Sequence, residues 1–157
     1  MSTYNELTDI DIRNKNILIR EDLNVPIKNN KIINDARIKA AIPTINYALS
    51  KGANVGIISH LGRPIEGKFD SKQSLKIVAE RLSEILNKKV FFEEQPLDIK
   101  SPEYKNKLTL FENTRFLVGE KSGDEKLAKK IIKNCDVFVM DAFGASHRKH
   151  TSTYTVS

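Results

Sequence analysis

The chain has 157 residues, 39% hydrophobic and 29% charged, with a formal net charge of +6. That length suits one domain with a sizeable core, and no apolar run approaches the roughly 20 residues a membrane span needs. A lone cysteine, Cys135, excludes an internal disulfide, and no basic stretch with an apolar core opens the chain as a secretory signal would, so a cytoplasmic protein is expected.

In chain order, the apolar run at residues 17–19 is the first strand candidate and leads into Arg20-Glu21-Asp22-Leu23-Asn24-Val25-Pro26. Asn29-Asn30 marks a loop tip. Ile38, Ala41, Ile42, Ile45 and Leu49 then share one helical stripe that stops at Gly52. Pro43 inside that stripe predicts a kink or a break, with Pro43 opening the second piece. Residues 55–58 form the next strand candidate, running into Ser59-His60-Leu61-Gly62-Arg63-Pro64. Leu75, Val78, Ala79, Leu82, Ile85 and Leu86 make a second helical face, and residues 90–92 a short strand. Residues 108–111 lead into Glu112-Asn113-Thr114-Arg115. Leu127, Ala128, Ile131 and Ile132 align on a third helix, with Ser122 and Glu125 spaced as a capping box. Residues 136–140 are the last strand candidate, running into Asp141-Ala142-Phe143-Gly144-Ala145-Ser146-His147-Arg148-Lys149-His150. Residues 149–157 form a polar run with no helix to cover that strand, so the chain reads as cut off rather than finished. Cys135, at a strand edge, reads as a structural thiol.

Strands and helices alternate, and the strand candidates are nearly continuous apolar runs. This pattern predicts an α/β fold of three layers, α/β/α, around a mainly parallel, Rossmann-like sheet with both faces covered. Ligands of such sheets sit outside the carboxyl ends of the strands. Four post-strand loops carrying cationic groups therefore converge on one edge as an anion site. A net positive charge matters only where the cations cluster. Lys88, Lys89, Lys129, Lys130 and Lys133 flank helical stripes and read as solvated faces, whereas the arginines fall in the loops, where a forked donor suits phosphate or carboxylate.

At these loops the chain resembles the phosphoglycerate kinase family. The matching segments are residues 20–26, 35–38, 43–45, 59–64, 110–115 with Gly119-Glu120-Lys121, and 136–150, in the family's order over nearly the whole chain. Glu21 departs from the family pattern, as does Thr155, which stands where a glycine is usual and bears on the backbone path of the last residues. The resemblance implies a glycolytic enzyme of two lobes that reversibly moves the acyl phosphate of 1,3-bisphosphoglycerate to ADP. One lobe binds 3-phosphoglycerate or its acyl phosphate and the other the magnesium nucleotide. Residues 1–157 match the 3-phosphoglycerate lobe alone, incomplete at its C-terminal end. Mg-ATP and Mg-ADP belong to the full enzyme, and neither is expected to bind this fragment well. Residues 119–123 lack the Gly-Lys-Ser/Thr ending of a phosphate-cradling loop. The full enzyme is expected to be monomeric, without nucleic-acid or membrane partners, and this chain alone to turn over nothing.

Carried over position by position, the substrate-binding residues implied by the resemblance are Asp22, Leu23, Asn24, Arg37, His60, Leu61, Gly62, Arg63, Arg115 and Arg148. Arg63, Arg115 and Arg148 are expected to grip the non-transferring phosphate; a lone loop arginine would more often be a surface ion pair, but three at equivalent positions point to a site. His60 either donates to the phosphate or caps a turn. Asp22 and Asn24 suit the substrate's hydroxyl and carboxylate, or form the turn before Pro26. Gly62 is expected to let backbone N–H groups approach the ligand closely. Arg37 is the catalytic candidate, because phosphoryl transfer needs charge stabilisation more than covalent help, and a cation at a helix start opposes the dipole. His147 and His150 have i, i+3 spacing, but Arg148 and Lys149 between them repel a dication, so no metal site is expected.

Two other readings remain at this level. A free-standing, non-catalytic anion-binding module would keep the same binding residues. Nucleic-acid binding has charge in its favour, but the chain has no tryptophan and no aromatic–basic platform or helix-turn-helix pattern.

Overall fold

Strand β1 (Asn16–Arg20) lies between β4 (Asn54–Ile58) and β7 (Val137–Met140), pairing parallel with both. Ile17 stands opposite Val55 on one side and Val137 on the other. With β6 (Leu108–Phe111) and β5 (Phe91–Glu93), these strands form a five-stranded sheet in the order β5-β6-β4-β1-β7, parallel throughout. The computed structural model describes residues 4–156. The expected α/β architecture is the observed one.

Side-chain alternation along the strands builds a core on each face. Ile17, Ile19, Val55, Ile57, Leu108 and Leu110 pack against helices α1 (Ala36–Ser50) and α2 (Lys76–Leu86) through Ile38, Ala41, Ile45, Val78 and Leu82. On the opposite face, Leu18, Ile58 and Phe111 meet Leu127, Ala128 and Ile131 of α3 (Glu125–Ile131). Each such aliphatic side chain contributes about 1.5–3 kcal/mol on full burial. Gly56 is essential to the second face. A Cβ there would lie 2.8 Å from Phe111 Cε2, so the absent side chain is what admits the ring.

Four local expectations are refined or corrected. Helix α1 runs from Ala36 to Ser50 through Pro43 without a break. Pro43 and Lys39 are both exposed, so water can satisfy the Lys39 carbonyl that a proline cannot serve. The N-cap of α3 is Asp124, whose Oδ1 accepts from the Leu127 amide at 2.8 Å, while Ser122 donates instead to the Gly119 carbonyl. The Asn29-Asn30 tip closes a hairpin of two short antiparallel strands, β2 (Ile27–Lys28) and β3 (Lys31–Ile32). Both asparagines have positive φ, 51° and 57°, as a two-residue hairpin turn requires.

The fourth concerns the final polar run. Thr151–Thr155 make one π-helical turn, with Thr151, Ser152 and Thr153 buried. Val156 joins the core beneath α3. Hydroxyl groups let this segment enter the interior: Thr151 Oγ1 donates to the Gly119 carbonyl at 2.7 Å and Thr155 Oγ1 to that of Gly123 at 3.1 Å. The hydroxyls of this polar run are internal hydrogen-bond donors, while β7 itself stays half-buried, as expected of a last strand with no helix over it. Ser157 lies outside the described residues.

Candidate anion-binding site

Parallel pairing sends the loops after β1, β4, β6 and β7 to the same edge of the sheet, and backbone bonds knit them together. The Glu21 amide donates to the Ile58 carbonyl, Thr114 N to the Ser59 carbonyl and Asp141 N to the Arg20 carbonyl, at 3.0, 3.0 and 2.9 Å. Side chains add cross-links. Ser59 Oγ accepts from the Leu23 amide at 2.9 Å, and Asn24 Oδ1 from the Gly62 amide at 2.9 Å. Asn113, fully buried, accepts from Leu61 N and Arg115 N while its Nδ2 donates to the carbonyls of Leu61 and Gln73.

On this frame sit the arginines. Arg115 is only 4% exposed, and its Nη1 donates to the Gly62 carbonyl at 2.6 Å. Its Nε is sealed from solvent with no partner. Burial lowers its pKa first of all, and the charges of Arg148 and Arg63 push in the same direction, so Arg115 feels both of the other guanidiniums. Among the described residues, neither Arg63 nor Arg148 donates a side-chain hydrogen bond, and none of the three forms an ion pair. Three cations this close without an ion-pair partner repel one another, and a bound anion would relieve that repulsion.

His60 lies at the same point, 6% exposed, with its pKa pushed down to about 3 by burial and then by Arg20, Arg115, Arg148 and His150. The ring is neutral near physiological pH. The negative charge beneath the cluster is Glu120, 1% exposed, whose Oε1 accepts from the Ser152 amide at 2.7 Å while Oε2 has no partner. Its charge acts on Arg20, Arg115 and His150.

Arg37 stands at the rim on the first turn of α1, with its side chain 53% exposed. Its Nη1 reaches Asp22 Oδ1 at 3.3 Å and the Asn24 carbonyl at 2.9 Å. A hollow of about 410 Å³ beside it is lined by Asn24, Val25, Pro26, Asn34, Ala36 and Arg37.

The positions carried over from the family resemblance thus fall on one edge, with different exposures. Asp22, Asn24, Arg37, Gly62, Arg63 and Arg148 are wholly or partly accessible. Leu23 and Leu61 are buried, and their amides are held by Ser59 and Asn113, so they serve as backbone anchors. The expected role of Gly62 needs correction. Its amide is committed to Asn24, and its φ of +62° turns the chain where a Cβ would strike the Gln73 side chain. Sequence reasoning placed Arg20 and Asn113 in the converging loops without giving either a role, and it gave Glu120 and Ser152 no place at this edge. The Glu-Asn and Gly-Glu-Lys motifs were visible, but nothing in them signals burial.

Comparison with known proteins agrees with this fold. The family model described as phosphoglycerate kinase matches residues 7–157. The chain belongs to the phosphoglycerate kinase family. Its fold superposes on a phosphoglycerate kinase structure from Coxiella burnetii with a TM-score of 0.89 and 46% identity, over 96% of this chain and 38% of that one. For phosphoglycerate kinase from Pyrococcus horikoshii OT3 the TM-score is 0.78 at 36% identity, over 93% and 38% of the two chains. The chain therefore spans about 38% of the length of the phosphoglycerate kinases it matches. Among the described residues, no helix is long and apolar enough to cross a membrane.

Proposed function

We propose that this chain is the 3-phosphoglycerate-binding lobe of a cytoplasmic, monomeric phosphoglycerate kinase. The enzyme would catalyse reversible transfer of the acyl phosphate of 1,3-bisphosphoglycerate to ADP in glycolysis. The observation that carries this reading is the unpaired cluster of Arg63, Arg115 and Arg148 beside neutral His60. A phosphate bearing close to two charges supplies the negative charge and the further acceptor oxygens that these forked donors can use.

In the forward direction a terminal phosphate oxygen of ADP attacks the acyl phosphorus. The bond from phosphorus to the carboxyl oxygen breaks, and the carboxylate of 3-phosphoglycerate leaves with the electron pair. The protein contributes position and charge rather than covalent chemistry. Arg63, Arg115 and Arg148 hold the phosphate that does not move, His60 donates to it, and Asp22 and the Asn24 loop face the hydroxyl and carboxylate. Arg37 is suited to the transferring group. Its half-exposed pair with Asp22 is worth at most about 1 kcal/mol, so the guanidinium is released at little cost. Among the described residues no group of three or more His, Cys, Asp or Glu side chains could hold a metal ion. The magnesium nucleotide is assigned to the second lobe that the family resemblance implies.

A titration of the isotope-labelled chain with 3-phosphoglycerate, followed by amide NMR, tests the reading. Shifts confined to residues 22–24, 37, 60–63, 115 and 148 are expected. Dispersed spectra that do not respond would refute the site. For Arg37, an Arg37→Ala variant of an enzyme carrying both lobes should lose roughly 10³-fold in kcat, by analogy with arginine-finger effects, with a smaller change in substrate affinity. This chain alone, mixed with 1,3-bisphosphoglycerate and ADP, is expected to form no ATP.

A further inference from the structure

We propose that Arg20 is a positioning residue that fixes His60 as its Nε2–H tautomer, so that the ring offers a neutral donor to the anion held by the arginine cluster. Arg20 ends strand β1 and is 1% exposed, so it is too deep to touch a ligand itself. All three sides of its guanidinium are committed. Nε donates to Ser152 Oγ at 3.2 Å, Nη1 to the Glu21 carbonyl at 2.5 Å, and Nη2 lies 2.9 Å from His60 Nδ1.

The last contact decides the tautomer. A guanidinium has donors only, so Nδ1 must supply a lone pair, and the proton of a neutral ring then sits on Nε2. Nε2 has no partner among the described residues, yet it is not among the side-chain atoms sealed from solvent. A second proton on Nδ1 would set N–H against N–H and add a charge beside Arg20, Arg115, Arg148 and His150. Arg20 remains protonated while doing this. Burial pulls its pKa down only to about 10, and Glu120 and Asp22 act against that pull.

The consequence for the proposed site, on whose reading this inference rests, is a donor whose proton does not depend on pH. Histidine ordinarily changes charge between about pH 5 and 8. Here His60 would keep the same donor throughout that range, leaving titration of the ligand's own phosphate, near 6, to set the pH dependence of binding. Ser152 belongs to the device as well, because its hydroxyl orients Arg20 from a segment 132 residues away in the chain.

Nitrogen NMR of the labelled imidazoles tests the assignment on the unmodified protein, with no ligand present. His60 should show an unprotonated Nδ1 and a protonated Nε2, unchanged from about pH 5 to 8. A proton on Nδ1, or titration within that range, overturns the proposal. Calorimetric affinities for 3-phosphoglycerate then test the function of the contact in Arg20→Met, His60→Ala and the double variant. Each single change is expected to weaken binding about tenfold, and the double change about tenfold rather than a hundredfold, as for residues acting through one another. Additive losses would mean that Arg20 acts without His60. Should Arg20→Met fail to fold, Ser152→Ala removes one anchor of Arg20 and should let the His60 tautomer signal shift; an unmoved signal counts against Ser152's part. If the unmodified protein fails to bind 3-phosphoglycerate, the functional reading falls, while the tautomer measurement still decides this one.

Discussion

Asn113 and Leu61 form a reciprocal pair across two loops. Asn113 Nδ2 donates to the Leu61 carbonyl at 2.7 Å, and Asn113 Oδ1 accepts the Leu61 amide at 3.2 Å. One amide side chain thereby imitates a strand neighbour for a residue that has left the sheet, fixing the β4 loop with His60 against the β6 loop with Arg115.

Replacing Asn113 by alanine orphans the Leu61 amide and carbonyl, the Arg115 amide and the Gln73 carbonyl. Buried groups left unpaired cost about 1–3 kcal/mol each, less where the backbone relaxes. Asn113→Ala is expected to lose roughly 3 kcal/mol in urea denaturation. Asn113→Asp keeps the acceptor but sets a buried carboxylate oxygen against the Leu61 and Gln73 carbonyls, so it should lose at least as much. Equal stability of wild type and Asn113→Ala would show that the staple is redundant.

Arg115 is buried, donates to the Gly62 carbonyl and leaves its Nε free. Arg115→Lys keeps the charge but not the fork. Loss of a buried charge-assisted contact costs about 2–5 kcal/mol, so Arg115→Ala should weaken 3-phosphoglycerate binding at least about thirtyfold. Arg115→Lys should fall between the two. Calorimetry that finds Arg115→Lys equal to wild type would remove the argument for bidentate recognition.

Two buried groups set opposing pH slopes. Burial, followed by a hydrogen bond to Asp141, raises the Glu21 pKa from 4.5 to about 10, so the folded state keeps a proton that the unfolded state releases. Its stability contribution is complete below pH 4.5 and is lost as pH rises towards 10. His60 runs the other way. Its contribution is present above 6.5 and is lost as pH falls towards about 3. Between 4.5 and 6.5 the two slopes offset each other, and above 6.5 the Glu21 slope stands alone. Glu21→Gln keeps a neutral buried side chain without the titration. It should gain roughly 1–3 kcal/mol over wild type near neutral pH and lose the decline above pH 6.5. Denaturation midpoints against pH that run parallel for the two proteins would disprove this.

At Gly56 the prediction concerns packing alone. An added methyl group meets Phe111 Cε2 at 2.8 Å, with Leu18 Cδ1 and Tyr104 Cε1 both at 3.2 Å, leaving no side on which to yield. Overpacking of this kind costs about 1–3 kcal/mol. Gly56→Ala should lower the unfolding free energy by that amount, and Gly56→Ala combined with Phe111→Leu should recover part of it.

The sheet strands and helices were legible because each rests on a local pattern: apolar runs for strands buried on both faces, and three- and four-residue spacing for helices. The hairpin strands were not, since two-residue strands carry too little periodicity to register, although their Asn29-Asn30 turn did. Pro43 misled because a proline's cost depends on whether the carbonyl it abandons faces water, and at Lys39 it does.

From sequence alone came the alternation of elements, the parallel sheet it implies, and the edge where Arg63, Arg115 and Arg148 meet. Those conclusions need only the order of the elements and the rule that ligands sit outside the carboxyl ends of parallel strands. Tertiary structure alone decided which charges are buried and what they touch. Arg20 reads as one more loop cation, yet it is enclosed between Ser152, the Glu21 carbonyl and His60. Gly62 reads as a ligand-facing amide, yet Asn24 holds it. The contacts of Arg20 with Ser152 and His60, and of Gly62 with Asn24, join residues 38–132 positions apart. They depend on sheet register and on which face a loop leaves, information that is distributed across the whole chain and present in no single stretch of it.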